Sequence, residues 1–336
     1  MTDKGPTDWL EPILATLPRA RVAVFGDFAL DAYWTIDPDR SELSVETGLP
    51  VQRVSGQRYS CGGAANVAVN LCSLGVGSVR AVGMLGDDLF GRELESILSR
   101  EGVDTTGLLR CQEDWQTQAF AKPHEQESEL NRIDFGNLNS LSVAAAERLE
   151  QELDRVAADS DVVILNQQVP IGVSTEAMIE RLNGLVARHP GRRFIVDSRD
   201  RPGSYQAAML KINDLEVMRL GGESAIERPV SLARLEEIAG DLYEQRAESL
   251  FITRGEQGML VFDEGGAQNV AGVAIGEPVD PVGAGDTALA AIAAALAGGS
   301  PAVMAARLAN LAAAVTVGKL RTTGTASPDE LRAALR

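Results

Sequence analysis

Histidine and cysteine are scarce in this chain, with two and three residues among 336. His124 and His189 stand alone, with no second ligand at metal-binding spacing, and Cys61, Cys72 and Cys111 match no zinc pattern. Three cysteines cannot all pair, so the expectation is buried free thiols in a reducing cytosol. Basic residues are outnumbered, 31 Lys and Arg against 48 Asp and Glu, for a formal charge of −17. A field of that sign repels nucleic-acid phosphates and anionic membranes, and it obliges any phosphorylated ligand to find a local basic patch. No apolar run reaches the ~18–20 residues that a spanning helix needs. The longest, residues 288–297, is short and Ala-rich, which suits a buried helix. Residues 1–8 lack the basic start and apolar run of a signal peptide. A cytoplasmic protein with neither nucleic-acid nor membrane partners is expected. The dinucleotide fingerprint Gly-x-Gly-x-x-Gly is also missing, both at Gly26-Asp27 and at Gly83-Met-Leu-Gly-Asp-Asp.

What is present is a rhythm. Apolar runs at 21–27, 79–83, 161–165, 193–197, 209–212 and 249–253 read as strands. Helical stretches at 64–74, 89–100, 143–158, 175–187 and 232–245 lie between them, after a short amphipathic helix at 9–17. The charge-rich run 228–248 is the wet face of one of these helices. Strands apolar on both faces, alternating with helices, predict an α/β fold: a central, mostly parallel sheet covered on both sides. With no internal repeat and no low-complexity linker, one domain over 1–336 is favoured. Residues 34–59 and 108–135 break the rhythm. They are more polar and alternate like exposed strands, so they are either surface loops or a small β-sheet lid standing over the strand ends.

The most specific stretch is Asp280-Pro-Val-Gly-Ala-Gly-Asp-Thr287, which runs straight into an Ala-rich helix. A small-residue turn at a helix start leaves backbone N–H groups aimed at one point, which makes an anion site suited to a phosphoryl group in transit. Gly283, Ala284 and Gly285 would supply those amides. An aspartate in such a turn, Asp286, makes sense as a base taking a proton from an attacking hydroxyl. The plainer alternative is a helix cap, since Asp and Gly are common there.

This stretch resembles the C-terminal motif of the ribokinase-like (PfkB) carbohydrate kinases. Gly62-Gly-Ala-Ala-Asn-Val-Ala-Val-Asn-Leu71, with Gly75 and Gly86 downstream, resembles their first motif. Two motifs in order, some 220 residues apart, carry the resemblance over roughly residues 21–334. It implies a three-layer α/β/α sandwich with a small lid, ATP and Mg²⁺ as cofactors, K⁺ as a candidate monovalent cation, and a homodimer through the lids. Residue by residue, it implies sugar contacts from Asp31 and Asp27 at the end of the first strand, and from Gly62, Gly63 and Asn66, with Gln168 and Arg132 also at the substrate. Asn213-x-x-Glu216 matches the motif linked to Mg²⁺ and phosphate, with Glu216 as the metal-associated residue. Thr253, Gly255 and Gly258 resemble the nucleotide-edge loop. Asn310 falls where the family packs against adenine, unless it is only a solvated polar position on its helix.

Within the family, Gly26-Asp-x-x-Leu-Asp-x-Tyr-Trp34, Arg254-Gly-Glu-Gln-Gly-Met259 and Val317-Gly-Lys-Leu320 look most like the heptose-7-phosphate kinases. The nucleotidyltransferase fused to some of them is not expected here. Two stretches depart from that pattern, Asn166-Gln-Gln-Val-Pro-Ile-Gly172 and Asp197-Ser-Arg-Asp-Arg-Pro-Gly203, and both fall near the expected substrate mouth. The implied activity is transfer of the γ-phosphate of ATP to a sugar hydroxyl. A heptose 7-phosphate or related sugar phosphate is expected, its phosphate held by Arg132, Arg199 and Arg201. A kinase for another sugar or nucleoside, a non-catalytic sugar-binding pseudokinase and, more remotely, a nicotinamide oxidoreductase remain as alternatives.

Overall fold

The computed structural model describes residues 8–336 except 113, 127, 224–228, 277 and 321–322. The N-terminal segment read for a signal peptide, apart from its last residue, and the first residue of the run 228–248 lie outside the described residues. Helix α1 (Leu10–Leu14) precedes β1 (Arg21–Gly26), β2 (Phe28–Ile36), a hairpin of β3 (Glu42–Leu43) and β4 (Pro50–Val51), and β5 (Val54–Gly63). There follow α2 (Ala64–Ser73), β6 (Ser78–Gly86), α3 (Leu89–Arg100), β7 (Asp104–Cys111), β8 (Gln118–Glu125), β9 (Ser128–Glu129), β10 (Ile133–Phe135) and α4 (Val143–Ala157). The second half contains β11 (Val162–Gln167), α5 (Glu176–Arg188), β12 (Arg193–Ser198), β13 (Met209–Asn213), α6 (Asp214–Leu220) and α7 (Leu232–Arg246). It ends with β14 (Leu250–Thr253), β15 (Met259–Asp263), β16 (Gly266–Val270), α8 (Ala284–Ala297), α9 (Ala302–Val317) and α10 (Pro328–Ala334).

Nine strands form the main sheet in the order β16-β15-β14-β13-β12-β11-β1-β6-β7. All neighbours from β14 to β7 are parallel, and β15 and β16 add an antiparallel edge. The central strand β11 is buried along its whole length, because one core packs α2, α3, α8 and α9 on one face and a second packs α4 to α7 on the other. The result is an α/β three-layer sandwich. Each helix carries its own local logic. Ser142 and Thr175 cap α4 and α5 by accepting backbone N–H bonds, and α4 turns Leu149, Leu153 and Val156 inward. Helix α8 is buried all round from Thr287 to Leu296, and its alanines let it lie close against α2 and α9.

A second sheet, β10-β8-β2-β5 with β9 beside β8, stands over the carboxyl ends of the central strands. Its extent corrects the sequence reading. It takes in Phe28–Ile36 and Val54–Gly63, leaves β3 and β4 between them as a separate two-stranded sheet, and excludes 108–111, which complete β7 on the main sheet, where Leu108 is buried. Alternation of polar and apolar residues marks a half-covered strand, but not the sheet to which it belongs. Cys61 is buried, with its thiol pushed up to about 12 by desolvation, whereas Cys72 and Cys111, also expected buried, are only half-buried. Neither histidine is a free surface residue: both are half-buried, and His189 sits 3.1 Å from Asp154.

Candidate active site

Two cavities meet at the start of α8. The first, about 400 Å³, lies between the small sheet and the ends of β1, β11 and β12; Asp31, Gly62, Gly63, Arg132, Gln168, Gly283 and Asp286 line it, joined by Arg199 and Asn137. The second, about 610 Å³, lies between α8, α9 and the segment after β16; Thr253, Gly255, Gly258, Ala284, Gly285 and Asn310 line it, among apolar walls from Val273, Ile275 and Val279. One helix terminus therefore faces both spaces, Gly283 and Asp286 on one side and Ala284 and Gly285 on the other.

The terminus is built on Gly283, the N-cap, at φ +80°, a left-handed conformation that suits glycine. Thr287 N–H donates to the Gly283 carbonyl and Ala284 N–H to that of Pro281. The amides of Gly283, Gly285 and Asp286 have no acceptor among the described residues. Of the trio expected from sequence, Ala284 is thus already engaged, and the Asp286 amide takes its place. The Asp286 carboxylate caps nothing; its Oδ2 accepts a 2.8 Å bond from Asn66 Nδ2. Burial pushes its pKa up to about 6; the Asn66 bond opposes the shift and the nearby Asp197 carboxylate adds to it. A carboxylate poised near neutrality beside unpaired amides can accept a proton from a hydroxyl while the amides hold an anion.

Beneath the turn lies a group the sequence reading missed. Lys211 on β13 is buried, its Nζ 2.8 Å from Asp197 Oδ2, and a Cβ on Gly285 would come within 3.3 Å of that nitrogen. Burial works against its charge, but Asp197 more than restores it, so the ammonium is retained. A lone lysine inside the apolar run Met209-Leu-Lys-Ile was the available signal.

Across the first cavity, Asp31 on β2 pairs with Lys122 on β8 at 2.8 Å, a partner that no sequence motif marked. Asp27, the other sugar contact expected, also lines this cavity, but both its oxygens already accept backbone N–H bonds, from Gln168, Val169 and Val173 at 2.9–3.2 Å. Burial raises its pKa to about 6 against those three amides. Its work is to clamp the loop after β11. Gly63 has a reason of its own: at φ +55° a Cβ there would stand 2.6 Å from the Asp27 carbonyl, whether or not a ligand is bound. Asn66, also expected at the sugar, lies behind Asp286 and lines neither cavity. Of the three arginines, Arg132 and Arg199 reach the cavity, while Arg201 turns to the Ser174 carbonyl. Arg132 is paired with Asp134, whereas the Arg199 guanidinium has no partner among the described residues.

Asn213 and Glu216 form a capping box at α6: Glu216 N–H donates to Asn213 Oδ1, and Asn213 N–H to Glu216 Oε2. Burial raises the Glu216 pKa and Asp197 adds to it. Among the described residues no group of three or more His, Cys, Asp or Glu could hold a metal ion. Glu216 offers a half-buried carboxylate with one oxygen already bonded to the Asn213 N–H, which fits a Mg²⁺ held mostly by water and ligand phosphates, as that ion favours. Asn310 is no solvated helix position, for its amide donates to the Val270 and Ala271 carbonyls and holds the wall of the second cavity.

Comparison with known proteins matches residues 19–330 to the model of the pfkB family carbohydrate kinases. The chain is 33% identical over 316 residues to the D-beta-D-heptose 7-phosphate kinase of Bordetella bronchiseptica, covering 91% of this chain and 93% of that one. It is 35% identical over 321 residues to the bifunctional protein HldE of Coxiella burnetii, covering 94% of this chain but 64% of that protein's length. Among solved structures it resembles Arabidopsis thaliana ribokinase complexed with ribose and ATP (TM-score 0.72, 20% identity, 94% and 99% of the two chains). It also resembles Escherichia coli phosphofructokinase-2 in complex with potassium (TM-score 0.73, 20% identity, 94% and 98%). The two motifs, the sandwich with its second sheet, and these matches agree: the chain belongs to the PfkB family of carbohydrate kinases.

Proposed function

We propose that this kinase transfers the γ-phosphate of ATP to a hydroxyl of a sugar phosphate of the heptose 7-phosphate class. The observation that carries the reading is the single helix terminus shared by two cavities, with Asp286 on the side of the first. The nucleotide occupies the larger, more apolar cavity, and the sugar lies against Asp31, Gly62 and Gly63. Asp286 takes the proton of the attacking hydroxyl, while the amides of Gly283, Gly285 and Asp286 and the Lys211 ammonium stabilise charge on the phosphoryl oxygens. Mg²⁺, when bound, neutralises charge on the nucleotide phosphates. Support for a phosphorylated acceptor comes from the heptose-kinase relatives and from Arg199 on the first cavity, whose guanidinium has no partner among the described residues, in an acidic protein.

ADP release measured over a panel of sugars and sugar phosphates, with and without K⁺, tests this. A heptose 7-phosphate should give the highest kcat/KM, and Arg199→Ala should raise its KM about tenfold or more, the loss of a charge-assisted contact. If unphosphorylated ribose or fructose turned over much faster than any sugar phosphate, the acceptor assignment would fall while the kinase stood. The metal reading has its own test. Glutamine retains the capping bond, so Glu216→Gln should keep α6 intact yet raise the Mg²⁺ concentration needed for activity, leaving sugar binding nearly unchanged. Unaltered Mg²⁺ dependence would reduce Asn213 and Glu216 to a helix start.

A further inference from the structure

We infer that Asn70, which lines neither cavity, sets the orientation of the Asn66 amide and thereby aims and sustains the Asp286 carboxylate as the base. The inference rests on the reading of Asp286 given above.

A carboxamide has nearly the same shape at its two ends, so packing alone cannot decide which end of Asn66 faces Asp286. The wrong end would set an oxygen against a carboxylate. The hydrogen-bond chain decides it. Asn70 Nδ2 lies 2.9 Å from the Asn66 main-chain carbonyl, which can only accept, so that end of Asn70 is its nitrogen. The same nitrogen is 3.2 Å from Asn66 Oδ1, which leaves the Asn66 NH₂ to face Asp286 Oδ2 at 2.8 Å. On its other side Asn70 Oδ1 accepts from Thr287 Oγ1 at 2.9 Å. The Thr287 oxygen in turn lies 3.2 Å from Thr316 Oγ1, which is 3.0 Å from the Ala312 carbonyl. The Asn66 main-chain carbonyl thus fixes the polarity: Asn70 turns its oxygen to Thr287, which spends its one hydroxyl proton there, and the single proton of Thr316 goes to the Thr287 oxygen or to the Ala312 carbonyl. Asn66 is 2% exposed, and Asn70, Thr287 and Thr316 are fully buried.

Nothing in the packing calls for these groups. The other buried residues of α2, α8 and α9 are almost all alanine, valine, leucine and isoleucine, which need no side-chain hydrogen bonds. A buried amide there is tolerated only because each of its partners is satisfied. Thr287 follows Asp286 directly, so the chain returns to the turn it serves. The other charges facing Asp286 are Asp197 on β12, Lys211 on β13 and Asp31 on β2, and none of them touches Asn70.

The test follows the Asp286 carboxyl by ¹³C NMR, assigned through its loss in Asp286→Asn, together with the pH dependence of kcat/KM. Asn70→Leu frees the Asn66 amide to flip. The Asp286 titration and the acid limb of kcat/KM should then both move up by about one pH unit. That makes the variant roughly fivefold slower at pH 6, converging on wild type by about pH 9, with sugar KM little changed. A purely structural role would lower the rate equally at every pH. Should Asn70→Leu not fold, Asn70→Leu/Thr287→Val removes both polar partners and leaves neither unpaired, and the same shift is read on it. Thr287→Val alone should move the limb in the same direction by less. A folded Asn70→Leu with titration and limb unmoved overturns the role of Asn70, even where Asp286→Asn is inactive. An active Asp286→Asn overturns the base itself, whatever Asn70→Leu does to the titration.

Discussion

Asp286→Asn should lower kcat by about 10²–10⁴-fold, the span that general-base catalysis contributes, while sugar and ATP binding survive. The asparagine keeps the shape of the turn, because the N-cap is Gly283 and the Asp286 carboxylate makes no capping bond. It cannot accept a proton, and its loss of charge removes repulsion toward a phosphate on the same helix terminus. The wild-type pH profile offers an independent reading. With the Asp286 pKa pushed up to about 6, the base is ionised only above that value, so kcat/KM should fall along a one-proton limb below about pH 6. The variant should lack that limb. Unfolding cannot mimic it through this group, for the stability sign runs the other way. A carboxyl whose folded pKa is raised above its ordinary 3.8 contributes stability that is present below that value and lost as pH rises through about 6. Acid therefore silences the base while stabilising the fold at this site. A kcat for Asp286→Asn within tenfold of wild type would sink the catalytic assignment.

The sequence made the order of the main elements legible, because strands buried on both faces read as unbroken apolar runs and α4 and α5 carry ordinary caps. It also located the turn at 283–286, where small residues lead straight into an Ala-rich helix and leave its first amides open to a ligand. What it could not supply was direction. Asp27 and Asp31 lie four residues apart and both line the first cavity, and only the fold shows that one is held by the amides of a loop while the other pairs with Lys122. Asn66 carries the expected motif, but it lines neither cavity and its amide donates to Asp286. The edge strands β15 and β16 escaped notice because Met259–Asp263 is short and Gly266–Val270 is largely exposed, so neither has a strong period. Lys122 and Lys211 belong to the site through ion pairs between strands, Lys122 with Asp31 and Lys211 with Asp197, which no local spacing encodes.

Lys211→Met should cost both stability and rate, and a second substitution separates the two. Lys211 and Asp197 are each 7% exposed and pair at 2.8 Å, so removing the ammonium leaves a carboxylate buried without its cation. Breaking such a pair from one side costs about 3–5 kcal/mol, which denaturant unfolding would resolve readily. The same ammonium lies under Gly285, within reach of charge building at the turn, so kcat should fall about 10²-fold or more, as on loss of one transition-state donor. Lys211→Met/Asp197→Leu then removes both charges. Replacing a buried pair by apolar groups of similar size is often neutral, so most of the lost stability should return. It also takes away one cation and one anion beside Asp286 together, which leaves the net charge acting on that carboxyl nearly unaltered. The acid limb should accordingly stay near its wild-type position, and kcat alone should remain low. Recovery of stability without recovery of rate would assign Lys211 to the phosphoryl group in transit. Recovery of both would make the Lys211–Asp197 pair a structural tie between β12 and β13 and return the charge stabilisation at this turn to its backbone amides.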